Sequence, residues 1–196
     1  MSELTKIMLR ILPFVVIIFV ISIKVRKGDF SKEELGIQKP DSYIKVFSWW
    51  VFFLFFCVLT ELLLYKYNLL QVKSYAFDLN TSLLKICGML LLAPIAEELL
   101  YRGIFLSKLI QFKVNKHAAI FIIAVLFVLL HSFAYEQTLA SKVGIVQVFI
   151  DATLFGYARL NTKSVYTSIV MHITGNLIAI AEMYLFEKKN FYPFIT

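Results

Sequence analysis

Two adjacent glutamates, Glu97 and Glu98, and an arginine, Arg102, interrupt the stretch LLAPIAEELLYRGIFL (91–106), which otherwise reads as helix soluble in hydrocarbon. An ionisable side chain at bilayer depth costs about 2.5 kcal/mol or more to insert, so such residues face a protein interior or a wet cavity and mark function. Glu98 and Arg102 are four apart, share a helix face and suit an ion pair. Glu97 is rotated by about 100° from Glu98 and is left for chemistry. The expected division of labour is one structural carboxylate and one reactive one.

The other polar residues at membrane depth are few: His131, Asp151, His172, Asn176 and Glu182. His172 and Asn176 are four apart and project from one face, one turn above the other. Phe127 and His131 share that spacing, which sets a phenyl ring beside the imidazole. Should Glu97, His131, His172 and Asn176 converge, a carboxylate, two imidazoles and an amide meet. Such groups activate a water and stabilise an oxyanion, the two requirements of amide hydrolysis. They equally suit a divalent metal held by two imidazoles and a carboxylate. The spacing does not choose between the two.

Each residue also has a plainer role. A single membrane histidine is ordinarily an interhelical hydrogen-bond partner. The Glu98–Arg102 pair is structural even within an enzyme. Asp151 reads first as a buried partner for Arg102 or a histidine, or as a residue facing a polar cavity. Glu182, near the end of its helix, reads as reaching the interface, His117 beside Lys116 as solvated, and Phe127 as packing. The joint occurrence of the three groups, in order, raises the functional reading above these.

The elements that must position these residues are membrane helices. Hydrophobic residues make up 60% of the 196, charged residues 17%, and the mean hydropathy is +0.77, which excludes an ordinary soluble domain. The expected fold is all-α, a polytopic transmembrane bundle of about six spans around a polar intramembrane cavity. The apolar runs place the spans near residues 7–23, 46–65, 82–110, 118–135, 143–157 and 165–186. The first run lacks a small-residue cleavage site and is expected to stay attached. Residues 28–42 read as an extramembrane loop with a surface helical turn near Ser31. Trp49, Trp50 and Tyr65 suit interfacial anchoring. Pro94 removes a backbone donor just before Glu97 and leaves carbonyls that only protein or water can satisfy.

The net charge of +7, from 20 Lys and Arg against 13 Asp and Glu, is spread between the apolar runs, so no nucleic-acid partner is expected. Lys and Arg near the span ends favour termini outside. Cys57 and Cys87 lie within apolar runs without CxxC spacing and read as buried thiols. The domain reading is an N-terminal helical hairpin with connecting loops (1–82), a catalytic core (83–186) and a C-terminal tail (187–196).

EELLYR (97–102), FVLLH (127–131) and HITGN (172–176) resemble the EExxxR, FxxxH and HxxxN motifs of the CPBP family, the CAAX prenyl endopeptidases and bacteriocin-processing proteins, also called Abi. The resemblance covers about the C-terminal half, residues 83–181. Residues 156–168 are similar to the family's lead-in to its last motif, with Lys163 where a small turn residue is expected, and Asp151 stands where a small or apolar residue is more common. The resemblance implies that Glu97 is the general base, assisted by His131, and that His172 and Asn176 stabilise the oxyanion while Glu98 and Arg102 hold the glutamate helix. The cofactor is left unknown: a divalent metal such as zinc is one option, and no tightly bound metal the favoured one, since HExxH is missing.

The expected function is therefore an intramembrane endopeptidase of a bacterial cell membrane, acting on a peptide or membrane-protein substrate within the lipid bilayer, in bacteriocin or signalling-peptide maturation or in self-immunity. The alternative is a non-catalytic membrane scaffold or immunity protein that binds a peptide or membrane partner. An ion or proton carrier is disfavoured, because no paired broken-helix repeat is present.

Overall fold

The computed structural model describes residues 2–69, 79–132 and 138–185, and these form helices and short connections without a strand. The long helices are α1 (Glu3–Arg26), α3 (Tyr43–Lys66), α8 (Leu139–Thr162) and α9 (Val165–Leu185), with α2 (Lys32–Leu35) a single turn between α1 and α3. Ser2, Ser42 and Thr138 cap α1, α3 and α8 by accepting the N–H three residues on, which satisfies donors that helix starts leave unpaired. These four helices are long and apolar enough to cross a bilayer. The remaining expected spans correspond to α7 (Lys116–Ser132), shorter but apolar, and to a segmented path through residues 79–111. The tail expected at 187–196 lies outside the described residues.

α7 packs along α8, α8 along α9, and α9 along α3. Trp49 bonds Asn161 and Phe53 meets Phe155, so α3 runs antiparallel to α8; Trp50 bonds Thr174 and Phe53 lies against Gly175, so it runs with α9. The two tryptophans thus make interhelical hydrogen bonds where the sequence suggested interfacial anchors alone. Small residues permit close approach: a Cβ on Gly156 would meet the Ile120 side chain at 2.9 Å, Ala119, Ala124 and Ala152 are buried with Ile120, and Ala158 is buried on the side of α8 toward Phe53 and Met171. α8 runs past both expected ends because Ser141 and Arg159, which bound its apolar run, are buried. Only 11% of the spans of α1 and α3 is buried, against 39% for α9, which makes α9 the central helix and leaves α1 and α3 with broad lipid-facing sides.

The segmented path consists of α4 (Leu79–Cys87), a π-helical segment (Gly88–Leu92), α5 (Ala93–Glu98), a second π-helical segment (Leu99–Phe105) and α6 (Leu106–Gln111). The Ala93 N–H bonds the Gly88 carbonyl, five residues back. The next such bond would run from residue 94 to the Met89 carbonyl, but Pro94 has no N–H to give. A carbonyl is thereby released where Pro94 led the sequence to expect one. Cys87 is exposed, correcting the expectation of two buried thiols, whereas Cys57 is buried against Phe53 and Phe155.

The loop before α3 is docked, not free at the surface. Ser31 and Glu34 form a reciprocal capping box around α2, and Gly36 ends it at φ +68°. Leu35 is fully buried against the second π-helical segment. The Glu34 carbonyl accepts from Ser107 Oγ and Arg159 Nη2, the Gly36 carbonyl from the Val165 N–H, and the Gln38 carbonyl from Ser164 Oγ. At the α8–α9 turn Lys163 takes φ +57°, the left-handed conformation for which glycine is the usual choice. The segment fastens one end of the bundle.

Candidate active site

The two glutamates have different surroundings. Glu98 is fully buried, and its Oε1 accepts from Arg102 Nη1 at 2.9 Å. The Arg102 guanidinium, also fully buried, donates through Nη2 to the Ala152 carbonyl at 2.8 Å and lies 4.8 Å from the Phe127 ring centroid and 5.3 Å from that of Phe155. Aromatic faces attract a desolvated cation, so the two rings help hold the charge of Arg102. Arg102 finds its second partner in a backbone carbonyl, not in Asp151 as the sequence allowed.

Glu98 has a further partner that the motif spacing did not reveal. His172 Nδ1 lies 2.9 Å from the same Glu98 Oε1. A carboxylate oxygen only accepts when ionised, so the imidazole proton sits on Nδ1 and Nε2 points away. His131 is oriented likewise, its Nδ1 2.7 Å from the Phe127 carbonyl oxygen. Each ring is also stacked, His131 on Phe127 with centroids 4.2 Å apart and His172 on Phe155 at 5.3 Å. Both histidines are thus fixed in position and present Nε2.

Those two Nε2 atoms face Glu97. His172 Nε2 is 3.7 Å from Glu97 Oε2, and His131 Nε2 is 4.0 Å from Glu97 Oε1. Both separations exceed a direct hydrogen bond and suit groups that share a small molecule between them. The Glu97 side chain keeps 15% of its surface exposed and His131 keeps 36%, while Glu98 and Arg102 keep none. The two carboxylates are therefore separated by accessibility as well as by helix face.

Asn176 joins the site through the backbone. Its Nδ2 donates to the Met89 carbonyl oxygen at 2.7 Å, the carbonyl that Pro94 leaves without a helical partner. The amide nitrogen has a second hydrogen to offer. Glu97, Glu98, Arg102, His131 and His172 gather directly, while Asn176, one turn beyond His172 on α9, is held by the Met89 carbonyl. Asp151, one turn before Phe155, has a buried Oδ1 without a hydrogen-bond partner among the described residues. Glu182 does not end at a free interface; its carboxyl meets that of Glu61. His117 bonds the Tyr157 hydroxyl at the start of α7, away from this group.

Sequence reasoning missed Glu61, Phe155 and the Ala152 carbonyl. A charged residue within the apolar run of α3 was the available signal for Glu61. The other two carried no signal, being a phenylalanine among 19 and a backbone atom. Two imidazole nitrogens and a carboxylate make a donor set that divalent metals accept, with each imidazole oriented through its other nitrogen. Among the described residues, however, no group of three or more His, Cys, Asp and Glu has the geometry to hold a metal ion.

Comparison with known proteins fits this arrangement. Residues 79–178 match the family model described as type II CAAX prenyl endopeptidase, Rce1-like. Neither the curated proteins nor the solved structures gave a match. The matched region holds all three motifs and every residue around Glu97. The chain therefore belongs to the Rce1-like, or CPBP, family of integral membrane CAAX-type proteases.

Proposed function

We propose that this protein hydrolyses a peptide bond of a peptide or membrane-associated substrate by means of a water activated at Glu97. The observation that supports this most strongly is the meeting of the accessible Glu97 carboxylate with two Nε2 atoms, each fixed in orientation through Nδ1. A water between them gives one proton to Glu97 and orients its other hydrogen on His131 Nε2. Its oxygen attacks the scissile carbonyl carbon, and the carbonyl π pair moves onto oxygen. The remaining Asn176 N–H donates to that oxyanion, as does His172 through Nε2–H once it has taken a second proton from solvent before the substrate binds. When the intermediate collapses, the C–N bond breaks and Glu97 passes its proton to the departing amine.

In this reading Glu98 and Arg102 are positioning residues: Glu98 fixes His172, and Arg102 offsets the charge of Glu98. The chemistry is assigned to residues 83–186, with the N-terminal hairpin enclosing them. The physiological setting we favour is a bacterial cell membrane, with maturation of a bacteriocin or signalling peptide, or self-immunity, as the outcome. Hydrolysis is proposed to need no tightly held metal.

Purified protein in nanodiscs, incubated with a peptide library and read by mass spectrometry, tests the reading. Wild type should generate defined new termini that Glu97→Gln does not, and dialysis against 1,10-phenanthroline should leave them in place. Cleavage by Glu97→Gln at the wild-type rate would remove Glu97 as the base. Loss of cleavage on chelation, restored by zinc, would overturn the metal-free form.

A further inference from the structure

The two histidines at Glu97 are held by different kinds of contact. His131 is fixed from its own helix, since Phe127, four residues back on α7, supplies both the carbonyl at Nδ1 and the stacked ring. Both contacts that orient His172 come from other helices. Its Nδ1 partner, Glu98, belongs to α5, and the ring that lies 22° from its plane, Phe155, belongs to α8. The orientation of His172 is therefore set by how α8 and α9 lie against each other, which no spacing within one helix guarantees.

Phe155 is itself placed by two neighbours. Ser168 Oγ, one turn before His172 on α9, donates to the Phe155 carbonyl at 2.9 Å within the core. The Phe53 ring from α3 meets the Phe155 ring at 5.2 Å between centroids and 59° between planes, and Phe53 is fully buried. Phe53 also lies against α9, where a Cβ added to Gly175 would stand 3.6 Å from its ring. Met171, the residue before His172, is buried in the same cluster.

α3 bridges the two helices that carry the stack. Trp49 donates to Asn161 Oδ1 on α8 at 3.1 Å, and Trp50 donates to Thr174 Oγ1 on α9 at 3.0 Å. One turn further on, Phe53 touches both helices, through Phe155 and Gly175. Of the three residues between His172 and Asn176, two, Thr174 and Gly175, thus meet α3. Close-packed interiors resist displacement, because a gap forfeits dispersion contacts and an overlap forces strain. A Phe53 ring seated on both helices therefore holds Phe155 at its distance from the imidazole.

We propose that Phe155, braced by Phe53, is the positioning residue that sets the plane of the His172 imidazole, and that α3 serves the catalytic site as a splint across α8 and α9. The stacked ring blocks tilting of the imidazole, so Nδ1 stays on Glu98 and Nε2 stays toward Glu97. α3 lies wholly outside the region that the family model matches, so the matched region is incomplete without it. The consequence for rate rests on the peptidase reading; the placement of the imidazole does not.

The chain has three histidines, so their ring nitrogens can be read one by one by NMR of protein carrying isotope-labelled histidine in nanodiscs. At a pH above the ordinary histidine range, wild type should show His172 as a single tautomer with its proton on Nδ1. Phe155→Leu and Phe53→Leu should each give a mixture of Nδ1–H and Nε2–H forms at His172, with His117 unchanged. On one library peptide that wild type cleaves, both should lower kcat by on the order of tenfold to a hundredfold with KM near wild type, because misplacing a reacting group by about 1 Å costs about 10²-fold. Trp50→Phe keeps a ring and removes the bond to Thr174; it should move both readouts the same way by less, and it carries the test should the leucine variants fail to fold. Phe121→Leu, in an exposed ring pair with Phe149, should change neither readout. A single Nδ1–H tautomer and wild-type kcat in folded Phe155→Leu and Phe53→Leu, or in Trp50→Phe where those do not fold, overturns the proposal, as does a loss that Phe121→Leu shares. If wild type cleaves no library peptide, the peptidase reading falls and the tautomer comparison alone decides the positioning.

Discussion

The two ends of this bundle treat their buried polar groups in opposite ways. At the end formed by residues 31–42, carbonyl after carbonyl is matched: Glu34 to Ser107 and Arg159, Gly36 to Val165, Gln38 to Ser164, and Thr162 to the Asp41 N–H. Arg159 Nε is the exception there. Toward the opposite end, Glu98 Oε2, Asp151 Oδ1 and Glu61 Oε2 have no hydrogen-bond partner among the described residues, and Glu97 stops short of both histidines. A membrane interior penalises an unpaired polar group. Saturation at one end is what architecture requires, and the incomplete pairing gathers toward the end that carries Glu97 and His131.

Substitutions sharpen that contrast. Arg102→Ala should be the most damaging, since it leaves Glu98 buried and uncompensated at a cost of about 3–5 kcal/mol; thermal unfolding in nanodiscs should show a large loss of stability, with activity lost as well. Glu97→Gln should lower the cleavage rate by about 10²- to 10⁴-fold, the weight of a general base, with a melting temperature close to wild type. A wild-type melting curve for Arg102→Ala, or a collapsed one for Glu97→Gln, would erase the distinction between the structural and reactive carboxylates.

Asn176→Ala should do both, on a smaller scale. It orphans the Met89 carbonyl at about 1–3 kcal/mol and removes one oxyanion donor, so kcat should fall more than KM changes. Gly36→Ala should affect the fastened end alone. Its φ of +68° and the Arg159 guanidinium, which a Cβ would strike, predict a loss of about 1–3 kcal/mol, read by thermal unfolding, with the cleavage rate per folded molecule unchanged. A selective loss of activity in Gly36→Ala would mean that the docked segment sets the chemistry.

Features written in local spacing were legible in the sequence. The Glu98–Arg102 pair follows from four-residue spacing on one helix, and a disturbed backbone near Glu97 follows from Pro94. The identity of the group that answers the disturbance did not follow, because Asn176 reaches Met89 from 87 residues away. The Glu98–His172 bond is hidden for the same reason: two motif residues were visible, but not which atom of each would face the other. The loop at 28–42 looked solvated from its charges, and only the fold shows that its carbonyls serve the α8–α9 turn. Phe53, Phe155 and His172 lie on separate helices, and no single stretch of sequence marks them as neighbours.

The most direct test is a comparison of peptides and new N-termini in native-host membranes containing wild-type protein or Glu97→Gln at matched expression, read by mass spectrometry. Hydrolysis at Glu97 predicts a defined set of termini present with wild type and missing with the variant. Identical peptide profiles, with a cellular phenotype that still depends on the protein being present, would contradict hydrolysis and identify a membrane binding protein instead.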